Sequence, residues 1–429
     1  MKAKMNRKTC FMFITVLLGS AASVAAQTSH PLRRLHSFGG PPDDGAGPVS
    51  LAMGNGVLYG STGYGGSWNT GSVFSLTPPA VEGGAWSETV LYSFPATLDQ
   101  GSNPYAVVLP GKGGILYCAT FGGGSTGNGV VFSLTPPASP GDAWAARALY
   151  SFTGGDDGAH PVALIGKDGV IYGLTNNGGA SNNGVVFSLT PPSAPLSDPG
   201  GSWTPAVLHT FTAGGDGAQP TGLVMGHDGV LYGTTLYGGT ATYGVAFSLT
   251  PPASTGGAWT EAVLYNFAGG SDAALPIAVA IGDDGVLYGP SLQGGVTGGV
   301  CLAVGCGTVF SLSPPAPPTG PGSAWTEAVL YRFTGGRDGM YPVGGVAVGR
   351  GVLYGSTGGT STLGTLFSLA SPASPGGVWT QTLLHTFKGR GRTGDAPSTG
   401  VMLGSGDMLY GATNAGGVPG YGTVYNVKP

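Results

Sequence analysis

The sequence predicts an all-β fold, a seven-bladed β-propeller of four-stranded blades that is closed by its own N-terminal strand. Three observations predict it. A Leu-Tyr or Ile-Tyr pair recurs seven times, short β-prone runs bounded by glycine and proline surround each pair, and the two ends of the repeated region hold complementary parts of one copy. A fixed long period of this kind is typical of propellers and solenoids, and no helical periodicity interrupts it.

The repeat carries three sequence markers. The first is the Leu/Ile-Tyr pair, followed by glycine in six copies and by Cys118 in the second. Its tyrosines are Tyr59, Tyr117, Tyr172, Tyr232, Tyr288, Tyr354 and Tyr410. The other markers have the forms Val-Phe-Ser-Leu and Leu-Tyr/His-x-Phe. Copies 55 to 66 residues apart have room for four strands and longer loops, since common propeller repeats run to about 40–50 residues.

One copy shows the four predicted strands clearly. They cover residues 206–211, 221–225, 230–234 and 244–249, and each run is rich in β-branched or aromatic residues. The second and third are joined through His227-Asp228-Gly229, a signal for a tight hairpin. Four hairpin-linked strands per copy favour a propeller blade over the shorter coil of a β-helix.

The ends of the chain predict how the ring closes. Residues 32–38 form a lone strand of the first type, whereas the last copy holds only the second, third and fourth types, at 401–403, 408–412 and 422–427. Pairing the lone strand with the last copy completes seven blades. It also removes two exposed strand edges, which would otherwise be templates for aggregation.

The first 26 residues predict a cleavable signal peptide. Basic residues precede an apolar run over 11–18, and Val24-Ala25-Ala26 stands before Gln27 as a cleavage site. A membrane anchor is the alternative, although the run is shorter than the roughly 20 residues that a spanning helix needs. We therefore expect residues 27–429 to form one propeller domain that is secreted, to the periplasm or the medium, and not held at a membrane.

The charge of the remaining chain argues against two classes of partner. Four of the 16 basic residues lie within the predicted signal, so 12 remain against 20 acidic residues, a net charge of −8. Nucleic-acid binding needs a basic footprint, and anionic membranes attract polybasic segments. We expect a monomer with neither partner.

Three cysteines remain after the predicted cleavage site. Cys301 and Cys306 lie close together in one loop, and export implies an oxidising compartment, so we expect a disulfide between them. A metal site is the other interpretation, but two cysteines without a nearby histidine supply half of a ligand set. Cys118 stands where the other copies have glycine, which indicates a small buried residue.

The repeat resembles a known family. The segment Asp-Gly-Val-Leu-Tyr-Gly-Thr-Thr at 228–235, with the glycine pair and the Gly-Val-Ala-Phe that follow it, is similar to the GloVer (Gloeobacter–Verrucomicrobia) tandem repeat. The resemblance covers nearly all of residues 27–429. It implies a bacterial exported protein, and it implies no activity or functional residue. Many such proteins have a C-terminal anchor, so an end at Pro429 favours release.

An aspartate recurs in the loop between the first and second strands of each copy. These residues are Asp44, Asp99, Asp157, Asp216, Asp272, Asp338 and, shifted, Asp395. A ring of carboxylates suits Ca²⁺, which prefers oxygen ligands. Each aspartate also stands at or near glycine in a turn, where its ordinary role is to accept backbone hydrogen bonds. We favour the turn role, since a feature that every copy requires is usually structural.

The loops between the third and fourth strands vary more and are the predicted binding surface. Their candidate residues are Tyr64, Trp68, Asn69, Phe121, Asn176, Asn177, Tyr237, Tyr243, Gln293, Asn414 and Tyr421. Aromatic rings stack on the apolar faces of sugars, and amides hydrogen-bond their hydroxyls. Variable loops on a rigid scaffold are a common place for function, although tolerant surface loops would look the same.

These features favour a secreted, non-enzymatic binding protein for carbohydrate or cell-envelope material, without a cofactor. An extracellular hydrolase or lyase is one alternative and a purely structural exoprotein another, and fold class does not decide among them. No nucleophile-elbow, metal-ligating or phosphate-binding motif is present. His36, His209 and His385 share a position with tyrosines, which indicates packing.

Overall fold

The computed structural model describes residues 31–429 except 82, 96, 98–100, 105–108, 140, 193–200, 255, 316–323, 360–362, 375 and 390–393. The predicted signal peptide and Asp99 lie outside the described residues. The described chain forms seven antiparallel sheets and contains no α-helix, with short 3-10 turns at Lys112–Gly114, Gly299–Cys301 and Ser405–Asp407.

Each sheet is one blade of a ring, and the strands of a blade follow one another from the innermost to the outermost. Blade 1 has β2 (Gly45–Gly54), β3 (Val57–Gly65), β4 (Ser72–Thr77) and β5 (Ser87–Ser93). Blade 2 has β6 (Leu109–Pro110), β7 (Leu116–Thr120), β8 (Val130–Thr135) and β9 (Ala145–Ser151). Blade 3 has β10 (Ala159–Lys167), β11 (Val170–Asn177), β12 (Val185–Thr190) and β13 (Thr204–Thr210). Blade 4 has β14 (Ala218–Met225), β15 (Leu231–Tyr237), β16 (Val245–Thr250) and β17 (Thr260–Asn266).

The inner strand is divided in two of the remaining three blades. Blade 5 has β18 (Ala273–Pro276) with β19 (Ala280–Ile281), then β20 (Leu287–Gly294), β21 (Thr308–Ser313) and β22 (Thr326–Arg332). Blade 6 has β23 (Pro342–Gly349), β24 (Val352–Thr357), β25 (Thr365–Ala370) and β26 (Thr380–Thr386). Blade 7 has β27 (Asp395–Pro397) with β28 (Met402–Leu403), then β29 (Leu409–Ala415), β30 (Thr423–Val427) and β1 (Arg33–Ser37).

The sequence copy and the structural blade are out of phase by one strand. The first strand of each copy is the outermost strand of the preceding blade, so β13 completes blade 3 while the rest of its copy builds blade 4. The loop between the first and second strands of a copy is therefore a turn between blades, and the loop between the third and fourth strands joins the second and third strands within a blade.

Closure of the ring follows the predicted pairing. β1 runs antiparallel to β30, with Arg34 opposite Tyr425 and His36 opposite Val424. The N–H of Phe38 donates to the Gly422 carbonyl at 3.1 Å, and the Phe38 side chain is fully buried. The N-terminal strand is thus the outer edge of blade 7, which confirms the prediction from the two chain ends.

The repeated markers build the contacts between blades. The phenylalanine that ends each outer strand packs against the aromatic ring in the third strand of the next blade, with ring centroids 4.9 to 5.5 Å apart in all seven junctions. The glycine after the marker tyrosine makes room for that ring. At Gly60, for example, a Cβ would lie 2.5 Å from the Phe74 ring. All three sequence markers therefore contribute to one buried aromatic belt.

The inner strands meet closely at the axis. A Cβ at Gly344 in blade 6 would overlap the backbone nitrogen of Gly400 in blade 7. A Cβ at Gly222 in blade 4 would lie 2.7 Å from the Cα of Ala278 in blade 5. Small residues therefore let the inner strands of neighbouring blades converge.

Within the described part of the chain, no helix has the length and apolar character needed to cross a lipid bilayer.

Candidate functional site

The ring has two faces, which we call upper and lower. The upper face carries the loops between the second and third strands of each blade and the turns between blades. Those loops cover residues 66–71, 121–129, 178–184, 238–244, 295–307, 358–364 and 416–422. The lower face carries the remaining two sets of connections, which include the Thr-Pro-Pro segments.

Exposed aromatic side chains lie on the upper face alone among the described residues. They are Tyr64, Trp68, Tyr237, Tyr243 and Tyr421, with Trp68 63% and Tyr64 59% exposed. The large apolar side chains that are exposed on the lower face are Val81 and Val378. Singly exposed hydrophobic residues are normally scattered over a surface, whereas the exposed large rings of this chain lie on one face.

Three of the predicted residues come together where blade 7 meets blade 1. The N–H of Gly47 donates to the Tyr421 carbonyl at 2.8 Å. A Cβ built at Gly47 would lie 2.5 Å from Asn414 Oδ1 and 3.7 Å from Tyr64 Cδ2. The exposed amide of Asn414 and the exposed ring of Tyr64 therefore flank bare backbone, and Trp68 lies in the loop that follows the strand of Tyr64.

The rings of Tyr421 and Tyr243 each lie against a glycine of a turn between blades. The ring of Tyr421 covers Gly40, and the ring of Tyr243 covers Gly269, where a Cβ would lie 2.9 Å from that ring. Both glycines also have a left-handed backbone, with φ of 77° and 70°. Tyr237 and Tyr243 belong to blade 4, so they form a second aromatic area away from the junction of blades 7 and 1.

The other predicted residues have varied surroundings. Phe121 stacks on His160 of the next blade, with ring centroids 4.3 Å apart. The amide oxygen of Asn69 accepts the N–H of Gly65 at 2.9 Å, which shapes its own loop. Asn176, Asn177 and Gln293 lie half-buried at the ends of second strands.

A disulfide ties the longest of these loops. Cys301 and Cys306 are bonded, with their Cα atoms 4.7 Å apart, and both are buried. Cys118 is free and buried, and burial raises the pKa of its thiol far above the ordinary value. The loop bridge is therefore structural, and Cys118 is not an activated nucleophile.

Sequence reasoning missed a ring of seven residues around the upper mouth of the axis. Each stands one residue before the proline of an inner strand, in the pattern Gly-Ala-x-Pro or a variant of it. The seven are Gly47, Asn103, His160, Gln219, Leu275, Tyr341 and Ala396, and we call them the mouth ring. All have φ between 51° and 61°, and each N–H donates to a carbonyl of the preceding blade at 2.8 to 3.1 Å.

The aspartates of the turns between blades hydrogen-bond within those turns. Asp216 accepts from the N–H and hydroxyl of Thr212, and Asp338 accepts in the same way from Thr334. Asp157 repeats the pattern with Thr153 and also accepts from the Tyr150 hydroxyl at 2.8 Å. The position that holds histidine in some copies and tyrosine in others is therefore a hydrogen-bonding position as well as a packing position, whereas the sequence predicted packing alone.

Asp44 belongs to the one group of three possible metal ligands among the described residues. Its carboxylate, His36 and Glu88 have ligand atoms within 4.8 Å of one another. Both Asp44 oxygens already accept backbone N–H groups, from Gly39 and Gly45, at 2.6 Å. Burial would raise the pKa of Asp44, yet the hydrogen bonds from His36 and the backbone hold it below its usual value. Other turns between blades have the same aspartate beside a tyrosine in place of the histidine. This recurrence favours a structural contact between blades, which we call a seam, over a metal centre.

Glutamates on the next blade close three of these seams. Glu88, Glu261 and Glu327 each have an Oε1 atom that is buried without a hydrogen-bond partner, and Gln381 occupies the same position in blade 6. Burial, and then the nearby Asp216, raise the pKa of Glu261 from 4.5 to about 7. The folded protein therefore retains a proton at this seam that the unfolded chain releases.

This proton makes stability depend on pH. Between the two pKa values, a glutamate whose pKa is higher in the folded protein holds more protons there than in the unfolded chain. The unfolding free energy should therefore fall as the pH rises from 4.5 through 7. We expect Glu261→Gln to raise the unfolding free energy at pH 8 by about 1–2 kcal/mol, after allowance for solvent screening, and to change it little at pH 4.5.

Denaturant unfolding at both pH values tests this expectation. Asp283→Asn, at an exposed carboxylate of a lower-face turn, is the control and should show no such difference. An equal effect of Glu261→Gln at both pH values would show that the seam holds no proton.

Grooves between blades lie on the lower face. One groove of about 330 Å³ lies between blades 2 and 3, where Leu109, Tyr117 and Ile171 line it beside Lys112 and Lys167. A similar groove of about 290 Å³ lies between blades 5 and 6. Because such grooves follow from the repeated junction, they carry no specific functional assignment.

Comparison with protein families gives one match and no curated relative. A family model described as the Gloeobacter/Verrucomicrobia repeat matches residues 50–302. No curated protein matches the chain.

Solved structures share the architecture. An ulvan lyase of polysaccharide lyase family PL25, bound to GlcA(1-4)Rha3S, is 12% identical with a TM-score of 0.55 over 93% of this chain and 96% of its own. The extracellular domain of the protein BT4673 from B. thetaiotaomicron, described as a one component system, is 11% identical with a TM-score of 0.50. That likeness covers 92% of this chain, which spans 42% of BT4673's solved chain. At these identities the likeness shows the fold alone.

Proposed function

The chain belongs to the Gloeobacter/Verrucomicrobia repeat family, and on that premise we propose that it is an exported, non-enzymatic propeller that binds carbohydrate on its upper face. One observation carries the proposal. The exposed aromatic side chains among the described residues all lie on that face. Export is supported by the basic, apolar and small-residue pattern of the first 26 residues.

The chemistry of the junction between blades 7 and 1 suits a sugar. Tyr64 and Trp68 offer flat apolar surfaces, and sugar rings present apolar C–H faces to such surfaces. The side-chain amide of Asn414 has no hydrogen-bond partner among the described residues and can bond two or more hydroxyls. Its position beside Tyr64, across Gly47, would let one sugar unit meet both groups.

The two aromatic areas favour an extended partner over a single small molecule. Tyr237 and Tyr243 lie in blade 4, well separated along the ring from Tyr64 in blade 1. A polymer that crosses the face would contact both areas, and two weak contacts joined in one ligand strengthen binding strongly. The ulvan lyase, which shares the fold, is a protein whose solved structure holds a saccharide.

A polysaccharide panel tests the proposal. The purified protein would be titrated with neutral polymers (β-glucan, xylan, mannan) and anionic polymers (alginate, pectin, ulvan) by affinity electrophoresis and calorimetry. We expect binding to at least one polymer, and a loss of at least tenfold for each of Tyr64→Ala and Trp68→Ala, since an aromatic contact of this kind contributes about 1.5 kcal/mol.

Val81→Ala and Val378→Ala are the matched controls, because they remove exposed apolar side chains from the lower face. They should leave affinity unchanged. Binding to no polymer in the panel would overturn the proposal. New reducing or unsaturated sugar ends during incubation would show that the protein is a hydrolase or lyase instead.

A further inference from the structure

The mouth ring holds side chains where glycine would be conformationally cheaper. All seven positions have a left-handed backbone, and each N–H donates to the preceding blade. Most L residues adopt this conformation reluctantly and asparagine less so, whereas glycine adopts it freely. Gly47 shows that glycine fits the fold at this position, yet the other six positions carry side chains as large as Tyr341. Those side chains are retained against a conformational cost.

Several ring side chains have unused hydrogen-bonding groups. The amides of Asn103 and Gln219 have no hydrogen-bond partner among the described residues, and Asn103 is exposed. His160 Nδ1 lies 2.7 Å from the Phe121 carbonyl oxygen. Because a carbonyl only accepts, Nδ1 carries the proton, and Nε2 of the neutral ring is left as an acceptor. The mouth thus presents donors and acceptors that serve no described contact within the protein.

The ring also lacks charge. None of its seven members is an aspartate, glutamate, lysine or arginine, and the ring of His160 is stacked on Phe121. Amide, imidazole and phenol groups match hydroxyls, whereas recognition of a carboxylate or sulfate normally uses arginine or lysine. The aliphatic Leu275 adds apolar surface.

We propose that the mouth ring is the specificity-determining floor of the upper face and binds an uncharged, hydroxyl-rich sugar unit. Asn103, Gln219 and His160 Nε2 are the hydrogen-bonding groups of this floor, and the ring of Phe121 stacks on the ring of His160. The inference rests on the proposed carbohydrate binding and narrows it to neutral saccharides. It is carried by positions that the loop candidates did not include.

Replacement by glycine separates binding from folding at these positions. In the double variant Asn103→Gly, Gln219→Gly the backbone keeps its left-handed conformation and the protein loses no described side-chain contact. The matched control is Asn55→Gly, Asp168→Gly, which makes the same change at two left-handed residues, with φ of 50° and 54°, in lower-face turns. Both variants should unfold within about 2 °C of the wild type.

Binding is measured on the same polysaccharide panel. The ring variant should lose at least tenfold in affinity for a neutral polymer, and the control should lose none. If the wild type binds a neutral polymer and the ring variant binds it equally well, the ring inference is wrong and the proposed function stands. If the wild type binds anionic polymers alone, the ring inference is also wrong and the proposed function stands.

Thermal unfolding is a second test of the inference and is independent of binding. A ring variant that unfolds well below the control would show that Asn103 and Gln219 are kept for the fold. If the wild type binds no polymer, the proposed function is rejected, and so is the proposed sugar ligand of the mouth ring, whatever the variants show.

Discussion

Deletion of residues 31–38 should lower the unfolding free energy by about 5 kcal/mol or more and expose the edge of β30. β1 provides the outer edge of blade 7, so its loss uncovers the edge of β30 and removes the buried side chains of Leu35 and Phe38. Burial of two such side chains contributes about 2 kcal/mol each, and the ladder hydrogen bonds add about 1 kcal/mol each. Domains are commonly stable by only about 5–15 kcal/mol, so partial unfolding and aggregation should follow.

A peptide of residues 31–38 provides the specific control. Added in trans, it should restore the denaturation midpoint of the deleted protein, because it can pair with the free edge of β30. Phe211→Ala, at the position in blade 3 that corresponds to Phe38, should cost about 3–5 kcal/mol without responding to the peptide. An unchanged midpoint after deletion would mean that β1 does not close the ring.

Gly344→Ala should destabilise the protein by about 4 kcal/mol or more. Its Cβ would overlap the backbone of Gly400 in the next inner strand, and its φ of 61° adds strain for any other residue. Backbone atoms cannot turn aside as a flexible side chain can, so the two inner strands would have to separate. Separation at the axis would disturb blades 6 and 7 together.

The neighbouring glycine is the matched control. The nearest atom to a Cβ at Gly345 is the Ala278 Cβ, at 3.5 Å, which is ordinary van der Waals contact. Gly345→Ala should therefore change stability by less than about 1 kcal/mol. Equal denaturation midpoints for the two variants would show that the inner strands do not meet as described.

Much of the fold follows from the repeated sequence, but the strand at which each blade begins does not. The markers predict four strands per copy, and the lone strand at 32–38 predicts closure. Which strand begins a blade cannot be read from a period, since orders 1-2-3-4 and 2-3-4-1 give the same repeating sequence. The pairing of the outer strand with the strand before it, across the boundary between two copies as in β13 with β12, reveals the phase.

The candidate site was partly accessible from the sequence. Exposed aromatic residues such as Trp68 stood out because they interrupt glycine-rich loops. The mouth ring was missed because a left-handed backbone leaves no mark when the residue is glutamine or tyrosine. One signal was available, since a proline follows each ring position in all seven copies while the ring residue itself varies from glycine to tyrosine. Variation at a fixed position inside an otherwise constant segment indicates a surface that is free to specialise.

Asn69 shows the opposite limit. An amide in a variable loop predicts ligand contact, yet its oxygen accepts the N–H of Gly65 and its own backbone is left-handed. Asparagine favours this conformation and often shapes turns. Residue type therefore could not separate an amide that builds the loop from one, such as Asn414, that remains available to a ligand.

The central claim is that the upper face binds carbohydrate, and one comparison of affinities tests it most directly. On whichever polysaccharide the wild type binds most tightly, the double variant Tyr64→Ala, Trp68→Ala should bind at least a hundredfold more weakly, while Val81→Ala, Val378→Ala should bind like the wild type. Loss of affinity in the valine variant with full affinity in the aromatic variant would place binding on the lower face and contradict the account.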